Sequence, residues 1–248
     1  MLQELKIVFH QGKQYIKDVR KVELPGIFRG RPIISSATCD EAMLAASCPA
    51  AAIKTNPITI DLGKCLFCGV CQLLAPEKIQ FTKEKFLTVN RRDDLLITEK
   101  TSERLYVKRE LIRPEVKKIF RRSLKLRQVS AGGDNSCEWE LNACGNVNFD
   151  MGRFGIEFVA SPRHADGIVI TGPISQNMAY ALQQTYDAVP SPKIIILAGT
   201  DAISGGIFEG SNALDRRFLS AYPIDLFIAG NPVHPLSFIN GVLDFLWR

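Results

Sequence analysis

The sequence predicts two unlike units in tandem: an α+β unit over residues 1–106 and an α/β unit with a parallel sheet over residues 131–248, joined by a basic helical bridge over 107–130. Three observations predict this. Five of the seven cysteines crowd between residues 39 and 71, among short strand-like pieces. Four runs in the second half are mostly apolar throughout rather than alternating, as strands buried on both faces are. Between the halves lies a stretch dense in Lys and Arg, with apolar residues at helical spacing.

In chain order, LKIVF at 5–9 and FLTVN at 86–90 read as strands, and PGIFRGRP at 25–32 reads as a loop. In the bridge, Arg113, Lys117, Lys118, Arg121, Arg122, Lys125 and Arg127 stand against one acid, Glu115. Ile112, Val116, Ile119, Phe120 and Leu124 recur at helical spacing, so a helix with one apolar face is expected there. Such a segment reads either as a solvated linker or as a contact with a partner subunit or an anionic membrane surface. The strands of the second half are IEFVA at 156–160, GIVIT at 167–171, KIIILAG at 193–199 and IDLFIAG at 224–230, with helices at 176–189 and 235–247. Strands alternating with helices argue for a doubly wound, flavodoxin-like layer structure.

Composition bounds the function. With 46% hydrophobic and 23% charged residues over 248, the chain has an ordinary globular make-up. No apolar run approaches the roughly 18 residues needed to span a bilayer, so no transmembrane segment is expected. The first residues carry scattered charges and no apolar core of a secretory signal, which places the expected location in the cytoplasm. There thiols stay reduced, and seven cysteines point to metal or redox chemistry before disulfides. A net charge of +5 is mild, and no nucleic-acid-binding signature accompanies it.

The strongest motif is KCLFCGVC at 64–71, a C-x2-C-x2-C run of Cys65, Cys68 and Cys71. A cube of iron and sulfide needs four thiolates, and in two-cluster ferredoxins the fourth comes from a remote Cys-Pro. Cys48-Pro49, in SCPAAAI, supplies it. The expected ligands of a companion cluster are missing as a set: Thr38, Glu41, Leu44 and Ala75 stand where cysteines would, and Cys39 is one residue out of register. One complete [4Fe–4S] site is therefore expected, on Cys48, Cys65, Cys68 and Cys71. A zinc ion on the same four thiolates is the alternative, although zinc sites more often use paired C-x2-C knuckles.

Residues 25–97 resemble the two-cluster ferredoxin subunit of formate hydrogenlyase and its homologue in respiratory complex I, through PGIFRGRPII, CPAAAI, IDLGKCLFCGVCQ and NRRDDLLI. Residues 132–248 resemble the small subunit of group 4 [NiFe]-hydrogenases, which is similar to the 20-kDa subunit of complex I, through CEWE, RFGIEFVASPRHADGIVITGPI, SGGIF and IDLFIAGNPVHP. The resemblance implies a ferredoxin-like first unit fused to a flavodoxin-like second one. It also implies a second cluster near a large subunit, held by four cysteines. Cys137 matches one of them, but Asp134, Asp201 and Asn231 stand at the other positions, and Cys144 lies outside the pattern. One thiolate, two carboxylates and an amide suit an iron–sulfur cluster poorly, so a hydrogen-bonded polar pocket is expected there.

Other residues are weaker signals. Arg163, His164 and Asp166 match the SPRHAD loop and are expected to orient it. Glu138 and Glu140 read either as a proton-passing pair or as an exposed or salt-bridged one, and His234 reads as a loop residue between prolines. No catalytic constellation is recognisable. The expected function is an electron-transfer subunit of a hydrogenase-like or complex-I-like assembly. Its partners would be a large subunit and other redox subunits, and it would be peripheral to the membrane through that complex. The alternative is a divergent scaffold, assembly factor or redox sensor that keeps the docking fold.

Overall fold

The computed structural model describes residues 2–101, 104–120 and 122–247; Arg121 of the basic bridge lies outside them. The chain opens with a helix, α1 (Leu2–Gln11), where LKIVF suggested a strand. Leu2, Leu5 and Phe9 recur at helical spacing, and a helix satisfies its own backbone hydrogen bonds where an isolated extended segment cannot.

Short elements follow: β1 (Pro32–Ile34), α2 (Glu41–Ala46), β2 (Ile53–Lys54), β3 (Thr59–Asp61), α3 (Val70–Leu74), β4 (Ile79–Phe81), β5 (Thr88–Val89) and β6 (Leu96–Ile97). β1 pairs with β4, and β3 lies between β2 and β6, all antiparallel. Asp40 starts α2 by accepting from the Met43 N–H at 2.9 Å, one of the donors a first turn leaves open.

The bridge contains α4 (Pro114–Ile119), begun by a proline whose missing N–H costs nothing at that position. The expected helix stops short of Leu124, which instead begins β7 (Leu124–Ser130). There Leu124 and Leu126 are buried and Lys125 is exposed, a period of two that apolar residues at mixed spacing made look helical. The remaining elements are α5 (Ser136–Ala143), β8 (Ile156–Phe158), β9 (Gly167–Thr171), α6 (Gln176–Ala188), β10 (Ile194–Ala198), α7 (Thr200–Ser204), α8 (Arg217–Ala221), β11 (Leu226–Ile228) and α9 (Pro235–Leu246). The four apolar runs are strands and the two helical segments are helices, as their patterns predict.

A six-stranded sheet orders these strands β5-β11-β10-β9-β7-β8. All neighbours are parallel except β5, which runs antiparallel along β11. Without β5 the order is that of flavodoxin-like sheets, in which the first strand lies between the second and the third. β9 and β10 are buried along their whole length. β5 comes from FLTVN in the first half, so that strand exists but completes the second half's sheet. Helix α9 presses on it so closely that a Cβ at Gly241 would come within 2.1 Å of Thr88 Oγ1. Only glycine fits there. The two halves therefore share a sheet edge.

Candidate metal centre

Cys48, Cys65, Cys68 and Cys71 line one pocket, together with Pro49, Ile53, Ile60 and Phe81. The loop that presents three of them is wound tightly by left-handed backbone at Phe67 (φ +52°) and Gly69 (φ +82°). The left-handed region suits glycine and strains phenylalanine, so the Phe67 conformation is one that the surrounding loop must enforce. The Arg29 Nη1 donates to the Phe67 carbonyl at 3.3 Å, and the Arg29 side chain covers Gly69. Backbone N–H groups already point at the sulfurs. Ala52 N–H donates to Cys48 Sγ and Phe67 N–H to Cys65 Sγ, both at 3.3 Å. Such bonds stabilise a thiolate and tune a cluster's potential.

Electrostatics make the same point from the other side. Burial pushes the Cys65 thiol up to about 12, with the neighbouring Cys71, Cys48 and Cys68 acting in the same direction and the Phe67 N–H against it. Cys71 is raised by the same two causes. Thiols raised in this way ionise when a cation is bound among them. The donor set, the enclosing pocket and the N–H···S bonds fit an iron–sulfur cluster. Cys65 is buried, Cys48 and Cys71 are half-buried, and Cys68 is exposed, so one corner of the site reaches solvent.

The positions of the missing companion site have been taken over by ordinary packing. Leu44 is fully buried, in the same core cluster as Ile34 and Ile79. Glu41 accepts from the Asn56 N–H at 2.9 Å. Cys39 packs half-buried against the same core.

The C-x2-C-x2-C loop is sealed against the second half by Thr200, which the sequence did not single out. Its buried hydroxyl donates to the Cys65 carbonyl at 2.9 Å and lies 3.3 Å from the Gly230 carbonyl. Lys64 pairs with Glu209 at 2.6 Å along the same seam. Replacing Thr200 with valine leaves the Cys65 carbonyl without its partner. It should cost about 1–3 kcal/mol in urea unfolding, with serine restoring most of it.

Asp134, Cys137, Asp201 and Asn231 stand beyond the carboxyl ends of β7, β10 and β11, the crevice in which open α/β sheets hold ligands. Cys137 Sγ lies against Gly199, where a Cβ would sit 2.5 Å away. Burial pushes its thiol up to about 12, with the charges of Glu138, Asp201 and Asp134 adding. Burial also raises Asp201, again with Asp134 nearby. Asp134 is tied to its own turn, accepting from the Ser136 N–H at 2.9 Å and Oγ at 2.6 Å. Asn231 lines a separate cavity with Phe28, Arg29, Phe67, Glu140 and His234. Among the described residues, no group of three His, Cys, Asp or Glu side chains is arranged to hold a single metal ion.

Arg216 organises this crevice and was also missed. Its guanidinium donates to the carbonyls of Pro173, Asp201, Ala202 and Ile203 at 2.8–3.3 Å. Nothing in the sequence separates it from Arg217, which is exposed and pairs with Asp215 at 2.6 Å. Glu138 and Glu140 do not behave as a pair. Glu138 is buried and accepts from Ser130 Oγ and Thr171 Oγ1, both at 2.6 Å. Glu140 is half-buried, and desolvation raises its pKa. In the SPRHAD loop Arg163 and His164 are not buried, and the bracing falls to Asp166, which accepts from the Lys125 N–H at 2.7 Å.

His234 is more than a loop residue. Its Nδ1 accepts from the Leu236 N–H at 3.1 Å and caps α9, while Phe28 and Phe149 stand edge-on to the ring. Burial, with the Lys85 charge adding, lowers its pKa from 6.5 to about 4. The unfolded chain takes up a proton near 6.5 that the folded chain refuses until about 4. This group's contribution is therefore intact above pH 6.5 and is lost as pH falls between those values. Urea melts of wild type and His234→Asn should diverge across that window, the variant keeping a cap but losing the acid-side decline.

A family model described as NADH ubiquinone oxidoreductase, 20 Kd subunit, matches residues 135–245. A probable membrane-bound hydrogenase subunit of Pyrococcus furiosus is 32% identical over 126 residues, covering 51% of this chain and 75% of that protein. An uncharacterized protein of Methanocaldococcus jannaschii is 35% identical over 129 residues, covering 52% and 86%. The chain belongs to the 20 kDa subunit family. Another relative, an NADH-quinone oxidoreductase subunit of Desulfovibrio desulfuricans, is 37% identical over 107 residues, 43% of this chain and 58% of that one. A solved structure of a membrane-bound sulfane sulfur reductase, an archaeal respiratory membrane complex, is similar at 26% identity with a TM-score of 0.46, covering 55% of this chain and 75% of that one. The family match takes in Cys137, Asp201 and Asn231, whereas Cys48, Cys65, Cys68 and Cys71 lie before it.

Proposed function

We propose that this chain is an electron-transfer subunit of a hydrogenase-like or complex-I-like membrane-associated assembly, and that it carries one [4Fe–4S] cluster on Cys48, Cys65, Cys68 and Cys71. The observation that carries the reading is the convergence of four cysteines, from two separate segments, on one pocket with N–H groups aimed at the sulfurs. Three cysteines within seven residues plus a remote Cys-Pro support a cube over a single zinc ion, for which paired C-x2-C knuckles are usual. When bound, the cluster supplies one-electron transfer. The chain's own residues do the rest. Cys68 offers a solvent-facing edge for exchange, Phe67 and Ala52 N–H groups hold negative charge on sulfur, and Thr200 fastens the loop to the second half. In this reading residues 1–106 form a ferredoxin-like unit, 107–130 a bridge, and 131–248 the part resembling the hydrogenase small subunit.

Family membership supports partners in a redox complex. Among the described residues no helix is long and apolar enough to cross a membrane, so attachment would be peripheral. A second reading, a scaffold or redox-sensing relative, is favoured by one observation: the strand-end crevice offers a single thiol, Cys137, beside Asp134, Asp201 and Asn231. Affinity purification of the native chain separates the two. Co-purification with a hydrogenase-like large subunit, together with reversible reduction of the chain, supports electron transfer. A chain that loses its metal on one oxidation cycle supports the sensor.

A further inference from the structure

Helix α1 has no place in the electron-transfer site and buries none of its residues. Its apolar side chains are laid open: Phe9 is 84% exposed and Leu2 77%, with Leu5 and Val8 at least half exposed. At 3.6 residues per turn these four share roughly a third of the helix circumference. Lys6 and His10 flank that stripe on one side and Glu4 and Gln11 on the other, and Ile7 alone among the helix's apolar residues lies on the far face. Exposed Lys13 and Lys17 follow the helix. The segment is then moored to the body of the protein: Ile16 N–H donates to the Asn148 carbonyl at 2.8 Å, and the exposed Arg153 stacks on Tyr15 at 4.8 Å. A contiguous apolar stripe on a helix therefore stands beside four exposed cations and a half-exposed tyrosine.

We propose that α1 is an interfacial anchor that lies on an anionic lipid surface, with Leu2, Leu5, Val8 and Phe9 in the acyl boundary and Lys6, Lys13, Lys17 and Arg153 at the headgroups. Charge complementarity selects this occupant. An apolar stripe alone would suit a protein groove, but lysines beside it and just after it on a short helix have the arrangement that interfacial helices use, with long cationic side chains reaching up to phosphate. Each basic residue near such a surface adds to an attraction that weakens with salt. Tyrosine beside the segment suits the same boundary. At ten residues the helix is about 15 Å long, enough to lie in the interface and too short to cross it. The inference deepens the peripheral attachment proposed above and rests on that part of the reading, but not on the cluster.

The test is co-sedimentation of the full chain, purified without oxygen, with phosphatidylcholine vesicles prepared with and without phosphatidylglycerol. Wild type is expected to bind the anionic vesicles, to bind less as salt rises, and to bind neutral vesicles weakly. Leu5→Asp combined with Phe9→Asp should weaken binding about tenfold or more, because two apolar anchors are lost. Lys6→Glu combined with Lys13→Glu should weaken it on anionic vesicles alone. Both changes fall on exposed positions, and iron content should be unchanged in each variant. Absence of wild-type binding, or undiminished binding by the Leu5/Phe9 variant, overturns the anchor. So does loss of a co-purifying subunit from that variant with vesicle binding intact, which would assign α1 to a protein groove. A wild-type chain that binds anionic vesicles but holds no iron would support the anchor and count against the cluster reading instead.

Discussion

Serine in place of Cys48 is expected to strip most of the iron from the anaerobically purified protein, and Cys39→Ser is expected to leave it. Both residues are half-buried cysteines near the same core. Only Cys48 lines the pocket opposite the C-x2-C-x2-C loop. It arrives from a different segment, across β2 and β3, and its sulfur already accepts the Ala52 N–H at 3.3 Å. A cluster held by the remaining three thiolates keeps an iron without its protein ligand, in a site already open to solvent at Cys68. Iron analysis and visible absorption of the two variants check this. Equal iron in both, or loss from Cys39→Ser, would reassign the fourth ligand.

Arg113→Ala is the substitution expected to cost the fold most among the charged residues. Asp225 lies near the start of β11 with its side chain only 7% exposed. Arg113 grips it with two nitrogens at 3.0 and 3.1 Å and also donates to the Lys193 carbonyl at 2.6 Å. Asp225 further accepts the Ile195 N–H at 2.9 Å. Burial raises the Asp225 pKa, and the Ile195 and Arg113 bonds work against that rise. Without the guanidinium a buried carboxylate loses its counter-charge. The cost should be about 3 kcal/mol, at the low end for a broken buried pair because Arg113 is itself a third exposed. The sign of the pH dependence follows. In the variant the folded Asp225 pKa stands further above its unfolded value, so the deficit grows as pH rises through it and shrinks on acidification. Urea melts across a pH series should show this, and adding Asp225→Asn should flatten the dependence.

Arg113 also shows what the sequence conceals. In the linear chain it is one of a run of cations that suggests a solvated or membrane-facing bridge. In the fold it is spent on an acid at the base of the sheet, 112 residues away. The strands of the second half were legible because each lies in a mostly apolar run. β7 was not, because Lys125 and Arg127 break its apolar run and α4 precedes it with a helical pattern. LKIVF misled for a related reason: a short apolar run is ambiguous until length and partners decide it. The four pocket cysteines were legible because iron–sulfur chemistry demands cysteines at set spacings. Thr200 and Arg216 were not, since each acts on backbone carbonyls that only the fold brings within reach. The Asp134, Cys137, Asp201 and Asn231 set does gather at the strand ends, yet Asn231 turns out to line a neighbouring cavity.

One cluster on Cys48, Cys65, Cys68 and Cys71 is decided by an iron and acid-labile sulfide assay with EPR of the dithionite-reduced protein, all without oxygen. About four irons and four sulfides per chain are expected, with one reduced-cluster signal that disappears in Cys48→Ser. Zinc in place of iron would contradict it, as would about eight irons, which would require a second cluster in the strand-end crevice beside Cys137.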